Sequence, residues 1–132
     1  MKNLKRIVGL CLLMAAPTLL TMSCSDSVQE IVEATNSALP ANVGNGLYAT
    51  SVVLDGDIVC WYYDVDETIF GYMNRIGAAR VKEDFINIIL VEDPLLSAVI
   101  DENKSIAYVL TNRVSGDDIA FEITPEELRR IK

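Results

Sequence analysis

Two stretches of this chain alternate apolar and polar side chains, and each runs straight into the start of a helix. The first is "LYATSVVL" and "IVCWYYDV" on either side of Asp55-Gly56-Asp57. The second is "IAYVLTNR" and "IAFEIT" on either side of "VSGDD". Successive side chains of a strand point to opposite faces, so a period of two marks strands, and the Gly/Asp turns between them mark hairpins. Both units then share one plan. Leu47 to Glu67 and Ile106 to Glu127 each read strand, turn, strand, capped helix, with Gly56 opposite Gly116 and Ile58 opposite Ile119. A hairpin alone is marginal in water, so two of them must join and be covered. The pattern predicts an α+β domain: a four-stranded antiparallel sheet from two ββα-like units, helices on one face, and an N-terminal helix besides.

The connecting segments read as helices and loops. Ser27-Val28-Gln29-Glu30 is a capping box, and Val28, Ile31, Val32, Thr35 and Leu39 follow at helical spacing. The stretch "PANVGNG" reads as loop. Asp66 is placed to cap a helix from Glu67 that aligns Ile69, Tyr72, Met73 and Ile76, with Gly71 and Gly77 as weak points. Residues 82–92 suit either a continued helix or a buried strand. Helix is favoured, because "ARVKED" contains no breaker. Asp93-Pro94 opens a further helical turn bearing Leu95, Leu96, Val99 and Ile100, and Thr124-Pro125-Glu126-Glu127 is a second capping box.

The N-terminus has a different logic. Lys2, Lys5 and Arg6 precede an almost wholly apolar run from Ile7 to Leu20, the layout of a secretory signal peptide. It ends in Leu20-Thr21-Met22-Ser23-Cys24, with a small residue just before the cysteine. This string resembles the lipobox of bacterial lipoproteins, and its loose form, with Asp26 close behind, resembles the Bacteroidetes type. The resemblance covers only Met1 to about Asp26 and implies that Cys24 carries lipid after cleavage before it. It implies a membrane partner through that anchor, and a place in the cell envelope, at the outer membrane. Several acyl chains anchor stably where a single chain binds reversibly. The expected organisation is a signal peptide over 1–23, a lipidated Cys24 with helix and loop over 24–46, and the α+β domain over 47–132.

Composition excludes several chemistries. There is no histidine among the 132 residues, which removes the commonest general base near neutral pH and the commonest zinc ligand. The formal charge is -8, and loss of the signal peptide takes away three bases and no acid. So acidic a domain is repelled by nucleic acid, and no nucleic-acid partner is expected. Cys60 is the thiol left once Cys11 and Cys24 are accounted for, and its alternation with Ile58 and Tyr62 marks it as a small core residue. Acids gather at Asp55/Asp57, at Asp64/Asp66/Glu67 and at Asp117/Asp118, but in turns and helix starts, where they serve local hydrogen bonding. No catalytic residue, metal site or cofactor is assigned.

One feature points outward. In "IVCWYY", Ile58, Cys60 and Tyr62 lie on one face and Val59, Trp61 and Tyr63 on the other. Matching the first set to Ile119, Phe121 and Ile123 makes it the core side. Trp61 and Tyr63 then stand on the opposite face, either beneath the N-terminal helix or exposed as candidate binding residues. The favoured function is a non-enzymatic envelope lipoprotein domain that binds a protein or other macromolecule. The rivals are a carboxylate-based hydrolytic accessory enzyme and a pilotin-like assembly factor.

Overall fold

The computed structural model describes residues Ser27 to Ile131, so the signal peptide and Cys24 lie outside the described residues. Helix α1 (Val28–Asn36) starts at the expected capping box: Ser27 Oγ accepts from the Glu30 amide, and the Glu30 carboxylate accepts from the Ser27 amide. It buries Val28, Ile31, Val32 and Thr35.

Residues 41–44, expected as loop, form an edge strand, β1 (Ala41–Gly44), paired with β2 (Leu47–Asp55). The signal was present in Asn45-Gly46. Both residues take positive φ, +58° and +76°, the requirement of a two-residue type I′ hairpin turn. With Val43 as its single buried residue, β1 shows no alternation to read. Strand β3 (Ile58–Val65) follows across the tight Gly56-Asp57 turn. Helices α2 (Glu67–Ile76) and α3 (Ala78–Ile88) are separated at Gly77, where φ is +91°. After a 3₁₀ turn (Leu90–Glu92) come α4 (Leu95–Asp101), β4 (Ser105–Asn112), β5 (Asp118–Ile123) and α5 (Pro125–Ile131). Helix therefore prevails over residues 82–88, with the 3₁₀ turn closing the segment.

The sheet has five strands in the order β1-β2-β3-β4-β5, and it is mixed, not the antiparallel four-stranded sheet expected. The hairpins meet through β3 and β4, which run parallel. The helical segment 66–104 between them is long enough for the crossover that parallel neighbours require. An antiparallel junction would have needed only a turn there.

The side chains buried by the sheet lie on one face, and the helices pack against it. Val59, Trp61, Tyr63 and Val65 from β3 join Ile106, Tyr108 and Leu110 from β4 and Ile119 and Ile123 from β5. The side of β3 read as core is thus the outer one: Cys60 is half-buried and Tyr62 is 38% exposed. The error lies in the phase of the two hairpins. Ile58 follows Gly56 by two residues but Ile119 follows Gly116 by three, so matching Ile58 to Ile119 slips the strands by one residue, and it is Val59 that corresponds to Ile119. A shift of one sends every side chain to the other face.

Candidate functional site

Trp61 and Tyr63, the candidate binding residues, are 0% and 1% exposed. They belong to an aromatic layer beneath the helices. In the sheet register Trp61 stands beside Tyr108, and Tyr108 beside Phe121. Phe85 of α3 meets Tyr63, Tyr108 and Phe121 edge-on, with ring centroids 5.0–5.9 Å apart. Such edge-to-face pairs add to the area they bury. Neither Trp61 nor Tyr63 offers a surface to a partner.

The same layer holds a buried acid. Asp93 Oδ1 accepts from the Leu95 amide at 2.9 Å, starting α4, while Oδ2 has no hydrogen-bond partner among the described residues. The hydroxyls of Tyr63 and Tyr108 and Nε1 of Trp61 are likewise buried without one. Burial pushes the Asp93 pKa up to about 6 against the pull of the Leu95 hydrogen bond. Burial, together with the nearby Asp93 charge, pushes both tyrosines well above their ordinary value.

The acids of the turns have structural partners. Asp57 pairs with Lys104 at 3.4 Å, Asp66 with Arg113 at 3.1 Å, and Asp118 accepts from Thr111 Oγ1 at 2.7 Å. Asp66 stands at the start of α2 but makes no side-chain capping bond. Among the described residues no three Cys, Asp or Glu side chains are grouped to hold a metal ion. The Cys60 thiol is pushed up by burial and by the charges of Asp55 and Glu122, which disfavours the thiolate.

An open cleft lies where α2 and α3 diverge from Gly77. Its volume is about 240 Å³. The β1–β2 turn supplies Asn45 and the start of β2 Leu47, α2 supplies Ile69, Tyr72, Met73 and Ile76, and α3 supplies Val81, Phe85 and Ile88. These are the apolar stripes visible in the sequence at helical spacing. Only part of them is covered: Met73, Val81 and Phe85 are buried, while Tyr72 is 51% and Ile88 45% exposed. The lining has one carboxylate, Asp84, tied to Arg80 at 3.3 Å. The cleft therefore lacks the facing pair of carboxylates that a glycoside-cleaving site uses. Its volume is below the roughly 300–1,000 Å³ of small-molecule pockets, and above the roughly 150 Å³ cavity that admits benzene. It has room for one or two apolar side chains.

The arrangement defines a one-sided α+β module with an apolar cleft on its helical side. No protein-family model matches the chain, and no curated protein matches it in sequence. The fold is similar to the crystal structure of a candidate secreted protein from Pseudomonas aeruginosa, with a TM-score of 0.66 and 9% identity over 77% of this chain and 89% of that one. At that identity the likeness is one of fold. Among the described residues, no helix is long and apolar enough to cross a membrane.

Proposed function

We propose that this protein is a non-enzymatic binding module, held in the cell envelope through lipid on Cys24, that recognises a protein partner in the cleft between α2 and α3. The observation that carries the reading is the cleft itself: side-chain sized, apolar, and rimmed by the exposed rings and branches of Tyr72 and Ile88. Apolar anchors seated in such pockets supply most of the energy of protein interfaces. The signal-peptide and lipobox resemblance supports the envelope setting, and the description of the Pseudomonas aeruginosa protein as a candidate secreted one agrees with export.

Site-specific photocrosslinking in producing cells tests it. A photoreactive side chain at Tyr72 should capture a protein partner, and Ile88→Asp in the same chain should abolish the capture. The same probe at Val114, exposed on the β4–β5 loop, should capture little. Equal yields at the two positions, or capture unaffected by Ile88→Asp, would overturn the proposal.

A further inference from the structure

The inner face of the sheet is filled by aromatics and covered by helices; the outer face has no such cover among the described residues. Alternation places its side chains in rows across the strands. Val53, Cys60, Ala107 and Glu122 form one row, and Ser51, Tyr62, Val109 and Ala120 the next. Asp55 and Ile58 lie beyond the first row. Tyr48, Asp64, Thr111 and Asp118 lie beyond the second. The centre is thus apolar and accessible, with Val53 at 43% and Tyr62 at 38% exposure. Carboxylates flank it at both ends, Asp55 at one and Asp64 and Asp118 at the other, and on the β5 edge, Glu122.

The cations are sorted the other way. All the lysines and arginines among the described residues sit on helices or just outside strand ends: Arg75, Arg80, Lys82, Lys104, Arg113, Arg129 and Arg130. None lies on a strand. Two reach the margins of the outer face, and both are engaged. Lys104 pairs with Asp57 at one end. At the other, Arg113 pairs with Asp66 and lies 4.4 Å from the centre of the Tyr48 ring. Asp55, Asp64 and Glu122 form no ion pair among the described residues.

We infer that this outer face is a second docking surface, and that its partner is a basic amphipathic segment of another protein. The apolar side of that segment seats on Val53, Cys60, Tyr62 and Val109, and its Lys or Arg side chains meet Asp55, Asp64 and Glu122. The charge pattern selects this occupant. A second copy of the chain would bring carboxylates against carboxylates, and an anionic lipid surface or nucleic acid would be repelled in the same way. The rows from Asp55 to Asp64 span about 20 Å, the length of roughly 14 residues of helix.

The test uses the processed chain purified from producing cells and a synthetic 14-residue amphipathic helix of leucine and lysine, with its leucine–glutamate counterpart as control. Cys60 lies in the centre of the face, so maleimide labelling of Cys60, read by peptide mass spectrometry, reports occupancy. The lysine peptide should bind and slow Cys60 labelling, and the glutamate peptide should do neither. The triple variant Asp55→Asn, Asp64→Asn, Glu122→Gln, checked for an unchanged melting temperature, should bind about tenfold more weakly. Absence of binding, binding that leaves Cys60 as reactive as before, or a triple variant that binds equally well would each overturn the inference. Protection of Cys60 that rises with protein concentration alone would also overturn it, by showing a second copy on the face.

Discussion

Trp61 and Tyr62 are neighbours in the chain and opposites in the fold. Trp61 is the largest side chain wholly withdrawn from solvent, and Tyr62 stands on the outer face. Trp61→Ala should lower stability by about 3–5 kcal/mol, the cost of lost burial plus the cavity left behind. Tyr62→Ala should cost less than about 1 kcal/mol, as surface changes usually do. Denaturant unfolding of the two variants checks the contrast, and similar losses would contradict the assignment of faces. Asp93 gives the core a pH dependence of known sign. Its folded pKa, about 6, lies above the ordinary 3.8, so the folded state holds the proton more tightly than the unfolded chain. The acid's contribution is most favourable below about pH 4 and is lost as pH rises towards 6. The full difference is on the order of 3 kcal/mol. The stability of wild type minus that of Asp93→Asn, followed by melts from pH 4 to 7, should fall across that window. A flat difference would mean that Asp93 is not desolvated.

At the scale of elements, the Asn45-Gly46 turn joins three parts of the fold. It closes the β1–β2 hairpin, lines the cleft through Asn45, and receives the Asp66 amide on the Gly46 carbonyl at 2.9 Å, fixing the start of α2. Gly46 is held at φ +76°, and a Cβ there would meet Ile69 Cγ1 at 2.8 Å and Asp66 Oδ2 at 3.1 Å. Gly56, at φ +62° in the β2–β3 turn, has open space around it. Gly56→Ala should therefore cost the backbone strain alone, about 1–2 kcal/mol. Gly46→Ala should cost distinctly more and should disturb the cleft, since Ile69 has to move. Thermal melts of the pair separate strain from clash; equal shifts would show that Ile69 yields freely. Helix α1 has an element-scale task too. Beyond the bulge at Thr50, β2 has no strand on its outer edge, and Asn36 Oδ1 accepts the Val52 amide at 3.1 Å. The helix thus covers an edge that would otherwise invite another strand.

For the whole molecule, the ends of the sheet set an orientation. The chain enters at the end where β3 and β4 begin: the Val28 amide donates to Glu102, two residues before Lys104, which pairs with Asp57. The strand lining of the cleft lies at the other end, where Leu47 pairs with Val65. The length of β3 between them is about 25 Å. Under the proposed lipidation of Cys24, two residues, Ser25 and Asp26, separate the anchor from the α1 cap at Ser27. On that proposal the entry end would face the bilayer and the cleft's strand lining would stand away from it, towards the aqueous side. Cys24→Ala should move the protein from the membrane fraction to soluble or unprocessed material, read by fractionation and by the mass of the N-terminal peptide. A wild type that is cleaved and released in soluble form would refute the anchor.

How much of this was legible depended on the range of the interaction concerned. Both capping boxes, the two hairpins, the helical stripes of Ile69 to Ile76 and the turn at Asp93-Pro94 follow from contacts within about four residues or from a short period, so the sequence alone determined them. The type I′ turn at Asn45-Gly46 was equally local but had no alternating strand beside it to draw the reading. Tertiary structure alone decided three things: that β4 lies parallel to β3, that Trp61 and not Tyr62 faces the helices, and that α2 and α3 diverge to leave a cleft. Each depends on which elements meet, and each turns on small differences. A sheet face is chosen by a one-residue phase that local energetics barely sense. A cleft exists where two apolar stripes find less cover than they could bury. Period and composition show that those stripes are apolar; only the packing of the whole chain determines how much of them remains open to a partner.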